Sequence, residues 1–263
     1  MLPATAAADV HSDHLASREP EPLAAPARPS PNVAEVVLWV ALVSLVALGL
    51  VAVGIRWLHP FDAATQMEPL RQRIIAALYG DGASTGWAAD MARFDGQYRA
   101  HPLAMLAHIV PSGVFLALLP VQLSRPVRTR FPGLHRWTGR TLIVLGVVSG
   151  ATALYFGLGM PFGGIGEAIV IALVAAWFFT SILRAWLSIR RGDIAHHREW
   201  MLRAVAVAIG VSVVRVVGAP TDLAFTPMGM SPRNVFVLAL WLGWLLTAAV
   251  TEWWIRRTRP SLS

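Results

Sequence analysis

The chain has 263 residues, of which 56% are hydrophobic and only 14% charged. A water-soluble domain carries about a quarter charged residues, so this composition is that of a polytopic membrane protein. The formal net charge is +7, every basic residue is arginine, and there is no cysteine, which excludes disulfides, thiolate metal sites and cysteine nucleophiles.

Residues 1–32 are rich in Ala and Pro, with mixed charge and no apolar run, and read as a disordered tail. Val33–Trp57 is the first span, apolar over the length a bilayer requires and expected at the periphery of the bundle. Residues 58–100 are polar yet patterned: Met67, Leu70, Ile74 and Leu78 recur at helical spacing, as do Trp87, Met91, Phe94 and Tyr98. Two amphipathic helices are expected here, lying on the membrane surface or capping the bundle, with a turn at "YGDGASTG". Residues 101–256 then form a core of five spans: His101–Leu123, Trp137–Leu158, Ile165–Ile189, Met201–Ala219 and Val235–Ile255. Residues 257–263 are a basic tail. The fold class is all-α, a polytopic bundle of six transmembrane helices.

Arginines gather in the second-to-third loop, the fourth-to-fifth loop and the C-terminus. By the positive-inside rule both termini face the cytoplasm and residues 58–100 face outward, as expected of a multi-pass protein of the cell inner membrane. The same placement at span ends gives no nucleic-acid signature; the partner is the lipid bilayer. There is no phosphate-binding glycine loop, no H-E-x-x-H and no G-x-S-x-G, which argues against an ATP-driven or serine-hydrolase activity.

Two sets of residues are candidates for function. On the outer side, His101 and His108 are about two helical turns apart and face the same way. Arg215 lies about 22 Å into the fifth span, at a depth similar to that of His108. A cation there needs a partner, and Glu167, Asp222 and Asp95 are candidates. One reading is a pocket for a small anionic or polar ligand; the other is a structural network joining three helices. On the inner side, His135 and His197 precede the third and fifth spans, flanked by Arg136, Arg140 and Arg198. Facing helices would bring the imidazoles together as metal or haem ligands, with the arginines matching haem propionates, a quinone oxygen or a lipid phosphate. The alternative is interfacial side chains that bind lipid headgroups and cap helices. His196 competes with His197 for the inward position, since one helix points only one of two adjacent residues inward.

The segments "RFDGQYRAHPLAMLAHIVPSGVFLALLPVQL", "RTRFPGLHRWTGR" and "RRGDIAHHREWMLR", followed by Arg215, resemble an uncharacterised family of bacterial predicted membrane proteins, the domain of unknown function 2306 group. The resemblance implies a helical membrane bundle with a polar signature at His108, His135, Arg140, His197, Trp200, Met201 and Arg215. It brings no activity with it. A looser similarity is to membrane b-type cytochromes, where only the inner pair here could supply two axial imidazoles for haem b. The functional expectation is a haem-binding or redox-linked membrane protein using His135 and His197. The alternatives are a non-catalytic binder or transporter working through the outer His/Arg pocket, and a structural or assembly factor.

Overall fold

The structure is a computed structural model, and it describes residues 33–80 and 87–259. The expectation of a disordered tail over 1–32 lies outside the described residues, as does most of the turn at 79–86. Among the described residues the chain forms nine α-helices and no strand: α1 (Val33–Leu58), α2 (Ala63–Tyr79), α3 (Trp87–Ala100), α4 (Pro102–Leu123), α5 (Arg125–Arg130), α6 (Pro132–Gly159), α7 (Ile165–Arg190), α8 (Ile194–Phe225) and α9 (Pro232–Arg257). Six of these, α1, α4, α6, α7, α8 and α9, are long and apolar enough to cross a membrane.

Helix starts are set by local chemistry, and two lie earlier than apolarity alone places them. Pro132 begins α6, its fixed φ suited to a first helical turn, so His135 and Arg136 sit within the helix. Asp193 caps α8, its carboxylate accepting the His196 backbone N–H at 3.0 Å, so His197 is also helical. The exposed Asp193 carboxyl is held below its ordinary range by that bond and by the His196 ring, so it stays charged and keeps its role. The loop between the second and third spans contains a helix that its arginines concealed, α5, capped by Ser124 accepting from the Val127 N–H.

The spans pack as a ring. In turn α1 packs on α4, α4 on α6, α6 on α7, α7 on α8, and α8 back on α1. The first span therefore closes the ring instead of standing outside it, and α9 is the outer helix, seated on α8 and α7. Helix α8 is the hub and contributes to all three apolar clusters. Val205 joins Val46, Phe115, Leu116, Leu119 and Leu142; Ala204 and Val207 meet Phe178; Val214 meets Val170, Ala239, Leu240 and Trp244. The first of these clusters is a dry layer where α1, α4, α6 and α8 converge, with polar residues above and below it. Val33, Ala34, Val37 and Leu38 share a groove with Trp253 and Arg257, so the start of α1 and the end of α9 lie at one face. That face is arginine-rich; α2 and α3 form a cap at the other.

Close approach of α8 and α9 depends on glycine. A Cβ on Gly243 would lie 2.8 Å from Val214 Cα and 3.0 Å from its backbone N, which no rotamer change relieves. Gly243→Ala is expected to cost about 1–3 kcal/mol through forced separation of the helices. Thermal melting of detergent-solubilised protein should show a clear loss for Gly243→Ala and none for Gly54→Ala, where nothing lies within 4 Å.

Candidate functional site

The cap is tied to the bundle by buried charge. Asp95 of α3, only 1% exposed, accepts hydrogen bonds from the backbone N–H of Ala64 and Thr65 and from the Thr65 hydroxyl. It thus caps the first turn of α2 from another helix. Its carboxylate also pairs with Arg56 at the end of α1, at 2.9 Å. From α2, Arg71 reaches Asp222 of α8 with two nearly parallel bonds, 2.7 and 3.0 Å, and Glu68 at 3.2 Å. Asp90 of α3 pairs with Arg233 of α9 at 3.4 Å.

At the cap end, five helices bring polar groups together. Tyr98 of α3 lies under the Arg56 guanidinium, 4.5 Å from its ring centroid. Burial holds the Tyr98 phenol above its ordinary value, against the opposing pull of Arg56 and Arg215, so it stays neutral and keeps an O–H to donate. His108 of α4 sets its Nδ1 against the Ser149 carbonyl at 3.0 Å and the Thr152 hydroxyl at 3.3 Å on α6. With Nδ1–H donating to that carbonyl, Nε2 is an acceptor. Ser112 donates to the His108 carbonyl at 2.6 Å and meets the Ser149 hydroxyl. Arg215 of α8 lies within electrostatic range of Tyr98, Arg56 and His108. His101 faces α6 as well, hydrogen-bonded to the Tyr155 hydroxyl at 3.1 Å, higher in the same wall.

None of the three expected counter-charges is paired with Arg215 among the described residues. Asp95 is taken by Arg56, Asp222 by Arg71, and Glu167 accepts the Gly163 backbone N–H at 2.7 Å. Among the described residues, the one hydrogen bond of the Arg215 guanidinium goes to the Val211 carbonyl of its own helix, at 3.1 Å, and the side chain remains exposed. Each carboxylate has a nearer partner, Arg56 at the end of α1, Arg71 of α2 and the Gly163 backbone, and the spacing along the chain does not reveal these pairings. His108 and Arg215 come within electrostatic range without a direct hydrogen bond, and Tyr98 stands with them. Tyr98 and Arg56 were not among the sequence-derived candidates. One sign was available: Asp95 lies at the edge of the apolar stripe of α3, about 60° around the helix from Tyr98, and a carboxylate so close to a buried face needs a partner.

The second polar level lies at the arginine-rich end. His108 and Gln122 are about 21 Å apart along α4, and His197 and Arg215 about 27 Å along α8, so the dry layer separates two distinct sites. Here His197 Nδ1 is 2.9 Å from the Ala185 carbonyl of α7, which fixes Nε2 as the acceptor nitrogen. His196 turns away, 2.7 Å from Asp193, so the choice between the adjacent imidazoles falls on His197. His135 lies within electrostatic range of His197 and Arg128, and its Nδ1 is buried with no hydrogen-bond partner among the described residues. Buried Gln122 of α4 accepts from the Thr138 hydroxyl and lies against Gly139, where a Cβ would come within 2.9 Å of its amide nitrogen. The helices α6 and α8 do not form one of the close pairs of the ring; they face each other across the core, Leu142 toward Val205.

Two expected members of this site are not in it. Arg140 stacks over Trp137, 5.5 Å from its ring centroid, on the exposed side of α6, and Arg136 is exposed as well. Helical periodicity explains the separation. His135, Thr138, Gly139 and Leu142 share one face of α6, whereas Arg140 is about 140° away from His135. Arg198 bonds to the Thr258 hydroxyl at 2.9 Å. No group of three or more metal-ligating side chains occurs among the described residues.

Six spans long and apolar enough to cross a membrane, an apolar central cluster and a cluster of polar side chains toward each end define a multi-pass α-helical membrane protein. The chain belongs to the DUF2306 family of predicted membrane proteins, which matches residues 105–255. The match takes in His108, Gln122, His135, Glu167, His197 and Arg215 and leaves out α1, α2 and α3, so of the polar residues near the cap His108 and Arg215 lie within the family match and Arg56, Asp95 and Tyr98 do not. No curated protein and no solved structure matches the chain.

Proposed function

We propose that the protein is a non-catalytic binder or carrier of a small anionic ligand, held in the chamber beneath the cap. Arg215 is the anion-binding group, Tyr98 and Arg56 are donors beside it, and His108 Nε2 accepts from a protonated part of the ligand. His101 and Glu167 line the upper wall. The observation that carries this reading is Arg215 itself. It is a guanidinium well inside a membrane-spanning helix, with a carbonyl of its own helix as its hydrogen-bond partner among the described residues. A charge at that depth without a carboxylate is costly, and a bound anion supplies what the chain does not.

A panel of small carboxylates and oxyanions, screened by thermal shift and then by titration calorimetry, tests it. Arg215→Gln should fold and should lose about 2–5 kcal/mol of the binding energy of any hit, at least about thirtyfold in Kd. A hit whose affinity is unchanged in Arg215→Gln, or a panel without any hit, would count against the chamber as an anion site.

A second reading rests on the lower level. The Nδ1 contact of His197 to a backbone carbonyl is the kind of support that orients an imidazole for metal ligation, and the partnerless His135 nitrogen lies near it. The residues therefore fit a haem or a metal held between α6 and α8, with redox chemistry as what such a group would supply. Arg128 is the nearby cation for an anionic edge, in place of Arg136 and Arg140. Visible absorption and iron content of the wild type, against His135→Ala and His197→Ala, decide it. A Soret band lost in both variants supports ligation, and a wild type with neither band nor metal rejects it.

A further inference from the structure

The two amphipathic helices of the cap have opposite fates. Helix α3 turns its stripe inward: Phe94 packs edge-on against Phe162 and Phe236, and Tyr98 against Phe156. Helix α2 turns its stripe away from the bundle. Met67, Leu70, Ile74 and Leu78 are 43%, 53%, 45% and 60% exposed, while Ile75 and Glu68 of the same helix are 0% and 5% exposed.

Around its axis α2 divides into three sectors. Glu68, Arg71, Gln72 and Ile75 occupy about 100° of arc and face the protein, where Arg71 holds Asp222. Met67, Leu70, Ile74 and Leu78 occupy about 80°. Thr65, Gln66, Pro69, Arg73, Ala76 and Ala77 fill the remaining arc, with Thr65, Gln66 and Arg73 exposed. Protein, apolar medium and water each receive one unbroken face. A helix capping the bundle from above would need two faces; a helix lying in the rim of the bilayer beside the bundle needs these three.

We propose that α2 is an interfacial helix, seated in the headgroup and upper acyl region of the leaflet at the cap end, with lipid covering its Met67–Leu78 stripe. The occupant follows from continuity. Helix α1 presents a lipid-facing row, Val37, Val40, Val43 and Val51, that ends in Trp57 and Leu58, 61% and 76% exposed. Helix α2 starts five residues later, so its stripe extends the same apolar surface at the depth where tryptophan marks a membrane interface. Because Arg71 and the Asp95-capped first turn join α2 to the chamber walls, the leaflet then holds one side of the chamber's cover.

The chain has no cysteine, so single labels are unambiguous. The full-length protein is reconstituted in phosphatidylcholine–phosphatidylglycerol vesicles with a bimane on Leu70→Cys, Ile74→Cys, Leu78→Cys or Arg73→Cys. Brominated lipid is the quencher from the membrane and iodide the quencher from water. Lipid quenching should be several-fold stronger at positions 70, 74 and 78 than at 73, and iodide quenching the reverse. Iodide access at 70 and 74 equal to that at 73 would overturn the proposal in favour of a water-facing stripe. Protection from both quenchers would overturn it in favour of a second protein copy on that face. Three stripe positions keep the result readable if one substitution fails to fold.

Discussion

Asp95→Ala is expected to open the cap while leaving the six spans folded. The carboxylate satisfies two backbone N–H groups at the start of α2, one hydroxyl and the Arg56 guanidinium, and both charged side chains are largely buried, 1% and 11% exposed. Removing one partner of such a pair strands the other, at a cost of about 3–5 kcal/mol. The loss falls on α2 and α3, which are held to the bundle mainly by a few ion pairs and aromatic contacts, so local opening is cheaper than global unfolding. Limited trypsin digestion should cut Asp95→Ala rapidly at Arg71 and Arg73, both in α2, with cleavage at the arginine-rich loops of the opposite face unchanged from wild type. Asp95→Asn keeps an acceptor for the Thr65 N–H and should fall between the two. A digestion pattern identical to wild type in Asp95→Ala would show that the cap does not depend on this carboxylate.

Asp222→Ala should have the second largest effect, about 3 kcal/mol, because Arg71 and Asp222 are 17% and 16% exposed and joined by two bonds. Arg71 keeps Glu68, which moderates the loss, and the Thr226 hydroxyl loses its acceptor at 2.6 Å. The melting temperature should drop in Asp222→Ala and recover in part in the double variant with Arg71→Met, since the second change removes the stranded cation. A double variant no better than the single one would mean that Arg71 is already solvated and the pair contributes little.

Much of the molecule is legible in one dimension. Apolar run length is a local quantity, and it places all six spans to within a few residues, apart from the two helix starts moved by Pro132 and Asp193 and the end of α8, which runs six residues past Ala219 to Phe225. The polar residues that matter are also visible, because His108, His135, His197, Gln122 and Arg215 stand out against an apolar background. Their pairing is not visible. The sequence offers Arg215 three carboxylates at suitable depth, and the structure gives each of them to a different partner. His135, Arg136 and Arg140 read as one motif, yet a helix turns about 100° per residue and puts Arg140 against Trp137, away from the imidazole.

The stripes of α2 and α3 make the same point most plainly. Both have apolar residues at helical spacing, and the spacing is enough to determine that each is an amphipathic helix. Which medium the apolar face meets depends on the roll of the helix about its axis. That roll is set by Asp95 at one end of α2 and by Asp222 at its middle, residues 30 to 151 positions away in the chain. Composition and periodicity by themselves determined the fold class, the number of spans and the list of polar side chains within them, because burial in lipid is demanded residue by residue. The tertiary structure alone decided that α1 closes the ring, that Asp95, Asp222 and Glu167 each pair elsewhere than with Arg215, and that α2 faces outward, because each of these is a contest among partners that meet only when the helices are assembled.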